Sequence, residues 1–195
     1  MGVYLVSVGA RQWYGTDEGD LGAVASGLDE ELRRRGLPPC GPVPPEPDPG
    51  GGPGTGFEEK SAVSMDGFAA LCRTHLTPRE EETLCGWSVL VPLALDEEVR
   101  LPVGSNYADE TVIAGAPQVL ALAERLATAI GLPQEALTVR ERLGLTNWFL
   151  NGAAARRAEA LPGPWGEDLD AAFHVAFFVC AARHALRRGC PLVYV

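Results

Sequence analysis

The C-terminal stretch 169–195, LDAAFHVAFFVCAARHALRRGCPLVYV, constrains the fold more than any other part of the chain. Its aromatic and apolar residues recur at the spacing of one helical face, and further apolar side chains widen that face nearly all round. This pattern is typical of a helix that is buried on several sides. Gly189 suits the left-handed cap that ends a helix, and Pro191 prevents its continuation. The sequence therefore predicts a long core helix followed by a terminal strand, Leu192–Val195.

A second buried strand is predicted at the start of the chain. Val3–Val8, VYLVSV, is a short run of β-branched and aromatic residues. Both terminal strands are apolar and are joined to helices that must pack against a shared sheet, so we expect the two strands in the same sheet. The apolar part of the long helix, Ala171–Ala182, is shorter than the roughly 20 residues that cross a bilayer. No membrane partner is therefore expected.

The remaining segments predict helices interleaved with short strands. Helices are expected to begin near Asp20, Ser64, Thr77 and Pro117, and also to cover 133–143 and 147–160. Trp87–Leu95 and Val99–Val103 are predicted to form a hairpin, with Thr111–Ala114 as a further strand. The predicted fold class is α/β or α+β. It is a single helix-rich domain over residues 1–195, built around a small mixed sheet of about 3–5 short strands.

Residues 38–56 are rich in proline and glycine, which predicts an irregular loop within the domain. The run Gly51–Gly56, GGPGTG, is similar to the start of an ATPase phosphate loop. That motif continues with lysine and then serine or threonine, but Phe57 and Glu58 occupy those positions here. Without the lysine and with acidic neighbours, the run is a poor phosphate site. We therefore interpret the whole segment as a loop.

The chain is acidic, with a formal net charge of −10 at pH 7. A nucleic-acid-binding protein needs a basic surface to neutralise phosphates, so no nucleic-acid partner is expected. Lys60 is the only lysine among the 16 basic residues. Together with abundant alanine, glycine and proline, this preference for arginine is typical of a GC-rich bacterial genome. No signal peptide is recognisable at the N-terminus, and the predicted location is the cytoplasm.

The five cysteines are odd in number and contain no CxxC pair, which favours reduced thiols: Cys40, Cys72, Cys85, Cys180 and Cys190. Cys72 and His75 lie three residues apart, with Cys85 ten residues after His75, but no second ligand pair of a familiar zinc spacing exists. We predict no metal and no cofactor. His174 and His184 flank Cys180 on different helical faces. They are expected to be core histidines with hydrogen-bond partners.

Three loops combine aromatic side chains with amides and carboxylates, the composition of pockets that stack a ligand and hold its polar ends. Their members form the predicted ligand-binding set: Trp13, Tyr14, Asp17, Glu18, Asn106, Tyr107, Asp109, Glu110 and Trp148. The first loop follows the opening strand, where ligands bind in many α/β sheets. The second loop follows the predicted hairpin, and the third contains Trp148, shortly after Gly144. The competing interpretation is structural: the carboxylates stabilise helix N-termini and the aromatic rings cover the edge of the sheet.

Two functions fit these loops. The first is binding of a small polar or cationic ligand, because aromatic faces and carboxylates together attract cations. For this function six residues are expected to converge on one concave site: Trp13, Tyr14, Asn106, Tyr107, Asp109 and Glu110. The alternative is an acidic protein–protein interaction module, of the inhibitor or immunity type, that engages a basic partner. If the protein is an enzyme, its acid or base is expected among the carboxylates Asp17, Glu18, Asp109 and Glu110.

Overall fold

A computed structural model describes residues 3–17, 19, 21–45, 56–104, 109–138 and 142–195. These residues form nine α-helices and one mixed sheet of six strands, an α+β fold. The strands are β1 (Val3–Ser7), β2 (Glu58–Ser61), β3 (Val89–Val91), β4 (Val99–Leu101), β5 (Thr111–Gly115) and β6 (Leu192–Tyr194). The helices are α1 (Ala10–Tyr14), α2 (Gly22–Arg34), α3 (Asp66–His75), α4 (Pro78–Cys85), α5 (Ala116–Ile130), α6 (Gly144–Leu150), α7 (Ala153–Ala160), α8 (Pro164–Glu167) and α9 (Leu169–Arg188).

The sheet has the strand order β2-β1-β6-β3-β5-β4. β1 and β6 pair antiparallel, with Leu5 opposite Tyr194, so the prediction that the two terminal strands share a sheet is confirmed. The sheet exceeds the predicted range of about 3–5 strands because β2 adds a strand beside β1. β2 has the sequence EEKS, which lacks the apolar alternation that would mark a strand.

The predicted hairpin between the third and fourth strands is wrong. β5 lies between them, pairing parallel with β3 and antiparallel with β4, so that Val89 and Val99 both lie opposite Ile113. The ladder of β3 ends at Val91, and the next residue, Pro92, has no backbone N–H to extend it. The next strand along the chain, β4, therefore lies on the far side of β5 from β3 and pairs antiparallel with β5.

Helices cover both faces of the sheet. On one face α9 and α5 pack side by side over Leu5, Leu90 and Ala114. On the other face α2 packs over Val89 and Ile113 from the same strands. Alternate residues of each strand therefore enter opposite halves of the core, which explains the nearly continuous apolar runs in the central strands.

The long C-terminal helix α9 is confirmed. It begins at Asp168, whose side chain accepts a hydrogen bond from the Ala171 N–H at 2.9 Å, and it ends at Gly189 with φ of 65°. By length and composition α9 is apolar enough to cross a membrane, but 72% of its most apolar window is buried inside the protein. These properties are those of a core helix.

Other helical segments differ from prediction. The segment 133–143 contains only a short 3-10 turn, Gln134–Leu137, in its described part, and 147–160 is broken at Gly152, which has φ of 79°. The predicted N-cap Asp20 lies outside the described residues. Of the predicted loop 38–56, residues 38–45 have neither helix nor strand, and 46–55 are not described. Val43 nevertheless packs in the core, so the loop is anchored at its beginning.

Candidate functional site

The first predicted loop is helical in part, because Trp13 and Tyr14 lie on α1. Trp13 is only 1% exposed and belongs to the core under α2. Tyr14 is 50% exposed, but its hydroxyl accepts a hydrogen bond from the Val43 N–H at 3.4 Å and donates one to the Gly41 carbonyl at 3.5 Å. Asp17 is exposed, and Glu18 lies outside the described residues. The Tyr14 hydroxyl therefore holds residues 41–43 in place, and the Trp13 ring belongs to the same core cluster as Val43.

The second predicted loop is described only at its end. Asp109 and Glu110 are exposed, and Glu110 pairs with Arg100 at 3.2 Å. The same guanidinium contacts Glu82 of α4 at 2.7 Å, so Glu110 belongs to a surface ion-pair network. Asn106 and Tyr107 lie outside the described residues.

The strand directions do not bring the first and second predicted loops to the same end of the sheet. β1 and β5 run in the same direction, the first loop follows the end of β1, and Asp109 and Glu110 precede the start of β5. The strand ends therefore place the loops at opposite ends of the sheet. α2 contacts the chain near both loops: Gly22 lies against the Gly15 carbonyl in the first loop, and Gly27 packs on Leu101 at the end of β4, just before the second loop. A site shared by the two loops therefore stays a prediction.

Trp148 is half-buried at the third predicted position. Its ring stacks on Trp165, with centroids 6.2 Å apart and an interplanar angle of 27°, and meets Phe149 edge-on at 4.8 Å. Of these three rings, Trp165 lines a concave surface to which Trp148 and Phe149 do not contribute. Trp148 therefore supports a candidate site from behind and is not among the residues that line it.

That concave surface is a groove of about 320 Å³ between α3, the end of α5 and the junction of α8 with α9. We call it the α3–α9 groove. Its volume lies within the range of roughly 300–1,000 Å³ that is usual for small-ligand sites. Leu71, Ile130 and Trp165 form an apolar floor. From Gly67 to His75 the groove follows two turns of α3, a length of roughly 12 Å.

Small residues keep the groove open. A Cβ atom at Gly67 would collide with the carboxylate of Asp168, so glycine is required where α3 approaches the start of α9. The other small positions are Ala70, Ala129 and Ala171. Because one oxygen of Asp168 accepts the Ala171 N–H, the carboxylate is fixed in place while its other oxygen faces α3.

The two ends of the groove differ in charge. Glu167 and Asp168, both exposed, lie at the end near Gly67, whereas His75 and Thr74 lie at the end of α3. Among the described residues, Glu167 and His75 form no ion pair or hydrogen bond. The groove therefore joins two carboxylates to an apolar floor, an arrangement that attracts an organic cation.

Glu59 is a buried carboxylate that lies outside the predicted ligand-binding set. It is 4% exposed on β2 and accepts hydrogen bonds from the Leu145 N–H at 2.8 Å, the Thr146 N–H at 2.9 Å and the Thr146 hydroxyl at 2.7 Å. Burial raises its pKa, and these hydrogen bonds offset only part of the effect. Glu59 thus anchors the start of α6 to the sheet, a structural role for which its sequence neighbours give no signal.

The two core histidines differ from each other. His174 has its Nε2 atom 3.4 Å from the Val63 carbonyl, as expected for a hydrogen-bonded histidine. His184 is 3% exposed, and its Nε2 atom has no hydrogen-bond partner, contrary to prediction. Its ring lies 5.5 Å from that of Phe57. Burial, assisted by Arg187 and Arg188, lowers the pKa of His184 to about 4.

Within the described ranges, no group of three or more His, Cys, Asp or Glu side chains is arranged to hold a metal ion. The expectation that Cys72, His75 and Cys85 hold no zinc stays a prediction. No protein-family model, curated protein or solved structure matches the chain.

Proposed function

We propose that the protein binds a small organic cation in the α3–α9 groove. The observation that carries this proposal is the pairing of an apolar floor, formed by Ile130 and Trp165, with the carboxylates Glu167 and Asp168 at one end. The floor would hold a hydrocarbon or aromatic body by excluding water from it. The carboxylates would attract an ammonium or guanidinium group.

The charge of the whole chain supports the same ligand class. A formal net charge of −10 at pH 7 raises the local concentration of cations around the protein and lowers that of anions. Because Glu167 and Asp168 are exposed, their attraction for a cation is screened by water. Affinity for the ligand would therefore depend on the apolar contact, with the carboxylates setting which end of the ligand enters.

The alternative, an acidic module for a basic protein partner, is favoured by the openness of the same groove. Exposed Glu167 and Asp168 would accept an arginine or lysine side chain of a partner as readily as a free amine. The two functions differ in ligand size. A free amine that binds by itself supports the first, and binding that requires a folded basic protein supports the second.

The test is calorimetric titration of the protein with spermidine, arginine and benzyltrimethylammonium, each compared with a neutral molecule of similar size. We expect at least one of these cations to bind and the neutral molecules to bind more weakly. Glu167→Gln should weaken binding by roughly 2- to 5-fold, since it removes one exposed charge without changing the shape. Ala70→Phe should abolish binding, because Ala70 lines the groove and the ring would fill it.

Ala160→Phe is the matched control. Ala160 is an exposed alanine at the end of α7 and does not line the groove. The control should bind like the original protein, and both phenylalanine variants should show unchanged circular dichroism. Absence of binding by all three cations, or equal affinity of Ala70→Phe and the original protein, would contradict the proposal.

A further inference from the structure

The α3–α9 groove has polar side chains at both ends and apolar side chains between them. Gly67, Leu71 and His75 are spaced four residues apart on α3, which places them along one side of the helix, and all three line the groove. Leu71 therefore separates the end near Gly67 from the end at His75 by an apolar stretch. The rise of an α-helix puts these two ends roughly 12 Å apart.

The end near Gly67 is negative. Glu167 and Asp168 are both exposed and line the groove there. The position of the Asp168 carboxylate is fixed, because one of its oxygens accepts the Ala171 N–H at 2.9 Å while the other lies against Gly67. A positively charged group at this end of the groove therefore meets two carboxylates, one of which is already held in place.

The other end is basic and offers a hydrogen-bond donor. Arg73 and His75, both exposed, are the basic residues in the last turn of α3, and of the two it is His75 that lines the groove. The neighbouring Thr74 hydroxyl donates to the Ala70 carbonyl at 2.9 Å, so its proton is already used. An imidazole has at least one N–H donor in either protonation state. His75 is therefore the side chain that can bind an acceptor oxygen at this end.

We propose that the ligand of the groove is a zwitterion, with its ammonium group at Glu167 and Asp168 and its carboxylate hydrogen-bonded to His75. An apolar body joins the two charged groups and covers Leu71. This inference rests on the proposed function and adds the second end of the ligand. A dication of the same length is a poorer match, because its second ammonium group would lie beside the basic residues Arg73 and His75.

Two kinds of molecule have this chemistry at a suitable length. An extended peptide spans roughly 3.4 Å per residue, so a tripeptide reaches about 10 Å, close to the separation of the two ends. An unbranched ω-amino acid such as ω-aminooctanoate has a similar reach. Both carry an ammonium group, a carboxylate and an apolar body between them. The groove is open to solvent, so the backbone amides of a peptide can stay hydrated on the outer side.

The test is calorimetric titration with the tripeptide alanyl-leucyl-alanine and with ω-aminooctanoate. Two derivatives of each are compared with it: the amide, which lacks the carboxylate charge, and the N-acetyl form, which lacks the ammonium charge. We expect each zwitterion to bind more tightly than its amide by roughly 2- to 5-fold, the effect of one exposed charged contact. α,ω-Diaminooctane should also bind more weakly than ω-aminooctanoate, and N-acetylation should weaken binding of both zwitterions.

Two leucine variants locate the carboxylate of the ligand. His75→Leu removes the donor inside the groove, so a zwitterion and its amide should bind this variant with equal affinity. Arg73→Leu is the matched control, since it changes an exposed basic residue of the same helical turn that does not line the groove. This control should retain the preference for the zwitterion over the amide. Both variants should show the circular dichroism spectrum of the original protein.

The results separate this inference from the proposed function. Amides that bind the original protein as tightly as their zwitterions would overturn the bipolar ligand and leave cation binding in place. A preference for the zwitterion that persists in His75→Leu would overturn the assignment of His75. If neither zwitterions nor amides bind, the proposed function fails together with this inference. Binding of the peptide alone, or of the ω-amino acid alone, supports the inference and identifies the source of the ligand.

Discussion

Whether a carboxylate of this protein is buried or lies at the surface depends on its position in the fold more than on its neighbours in sequence. Glu58 and Glu59 are adjacent and chemically identical, yet Glu58 forms a surface ion pair with Arg142 whereas Glu59 is buried against α6. The alternation of a β-strand explains the difference, since successive side chains leave opposite faces. Only the position of β2 in the sheet reveals which of the two carboxylates is buried.

Replacing Glu59 with glutamine tests its role at this scale. Both carboxylate oxygens accept hydrogen bonds from donors on Leu145 and Thr146. Glutamine would turn an NH₂ group toward one of these donors and leave a buried N–H or O–H unpaired. We expect Glu59→Gln to lower the free energy of unfolding by about 1–3 kcal/mol, measured by urea denaturation. Glu58→Gln is the control on the exposed side and should change it by less than about 1 kcal/mol.

At the scale of elements, local chemistry sets the ends of several helices. α4 begins at Thr77 with a capping box: the Thr77 hydroxyl accepts from the Glu80 N–H, and the Glu80 carboxylate accepts from the Thr77 N–H. Pro78 then occupies the first helical turn, where its missing N–H costs nothing. Thr77 and Pro78 were enough to predict this start from sequence, and the structure adds the contribution of Glu80.

The capping box makes Thr77→Ala a test of that local contribution. The variant loses the side-chain acceptor for the Glu80 N–H, and we expect the free energy of unfolding to fall by about 1 kcal/mol. The comparison is Thr128→Ala on α5, where the hydroxyl bonds only to the Glu124 carbonyl within the same helix. Thermal denaturation should show little change for Thr128→Ala, since alanine favours the helix interior. Equal losses in both variants would contradict the capping argument.

Elements that depend on distant partners were predicted less well. β1, β6, α5 and α9 have strong apolar patterns or clear end signals, and the sequence predicted all four. β2 has neither, and only pairing with β1 makes it a strand. The order of β3, β5 and β4 was predicted wrongly, because hydrophobic periodicity identifies a strand but not the strands that pair with it. The α3–α9 groove was missed for the same reason, since its residues come from four helices.

Buried histidines affect the whole molecule through its response to acid. His184 has a folded-state pKa of about 4, compared with an ordinary value of 6.5, mainly because burial disfavours the charged ring. His174 is shifted in the same direction, also mainly by burial. The folded protein therefore resists protonation at these two rings, while the unfolded chain accepts protons below pH 6.5.

The expected pH dependence follows from that difference. The contribution of His184 to stability is complete above pH 6.5 and is lost as pH falls toward 4, with a total of roughly 3 kcal/mol. Urea denaturation between pH 7 and pH 4 should show this decline. His184→Phe should make the decline shallower, because the ring cannot be protonated, whereas His75→Gln at an exposed position should not alter it. An identical decline in His184→Phe would exclude this histidine as the cause.

The central position of β6 has a consequence for how the chain folds. β6 joins the β2–β1 pair to the β3–β5–β4 group, and its residue Val193 lies opposite both Val6 and Val89. The pairing with β1 closes a loop of nearly the whole chain, and contacts between such distant segments slow folding. Until β6 docks, β1 and β3 each present an unpaired edge to other chains. We therefore expect docking of β6 to limit the folding rate, and aggregation to compete with folding chiefly before that step.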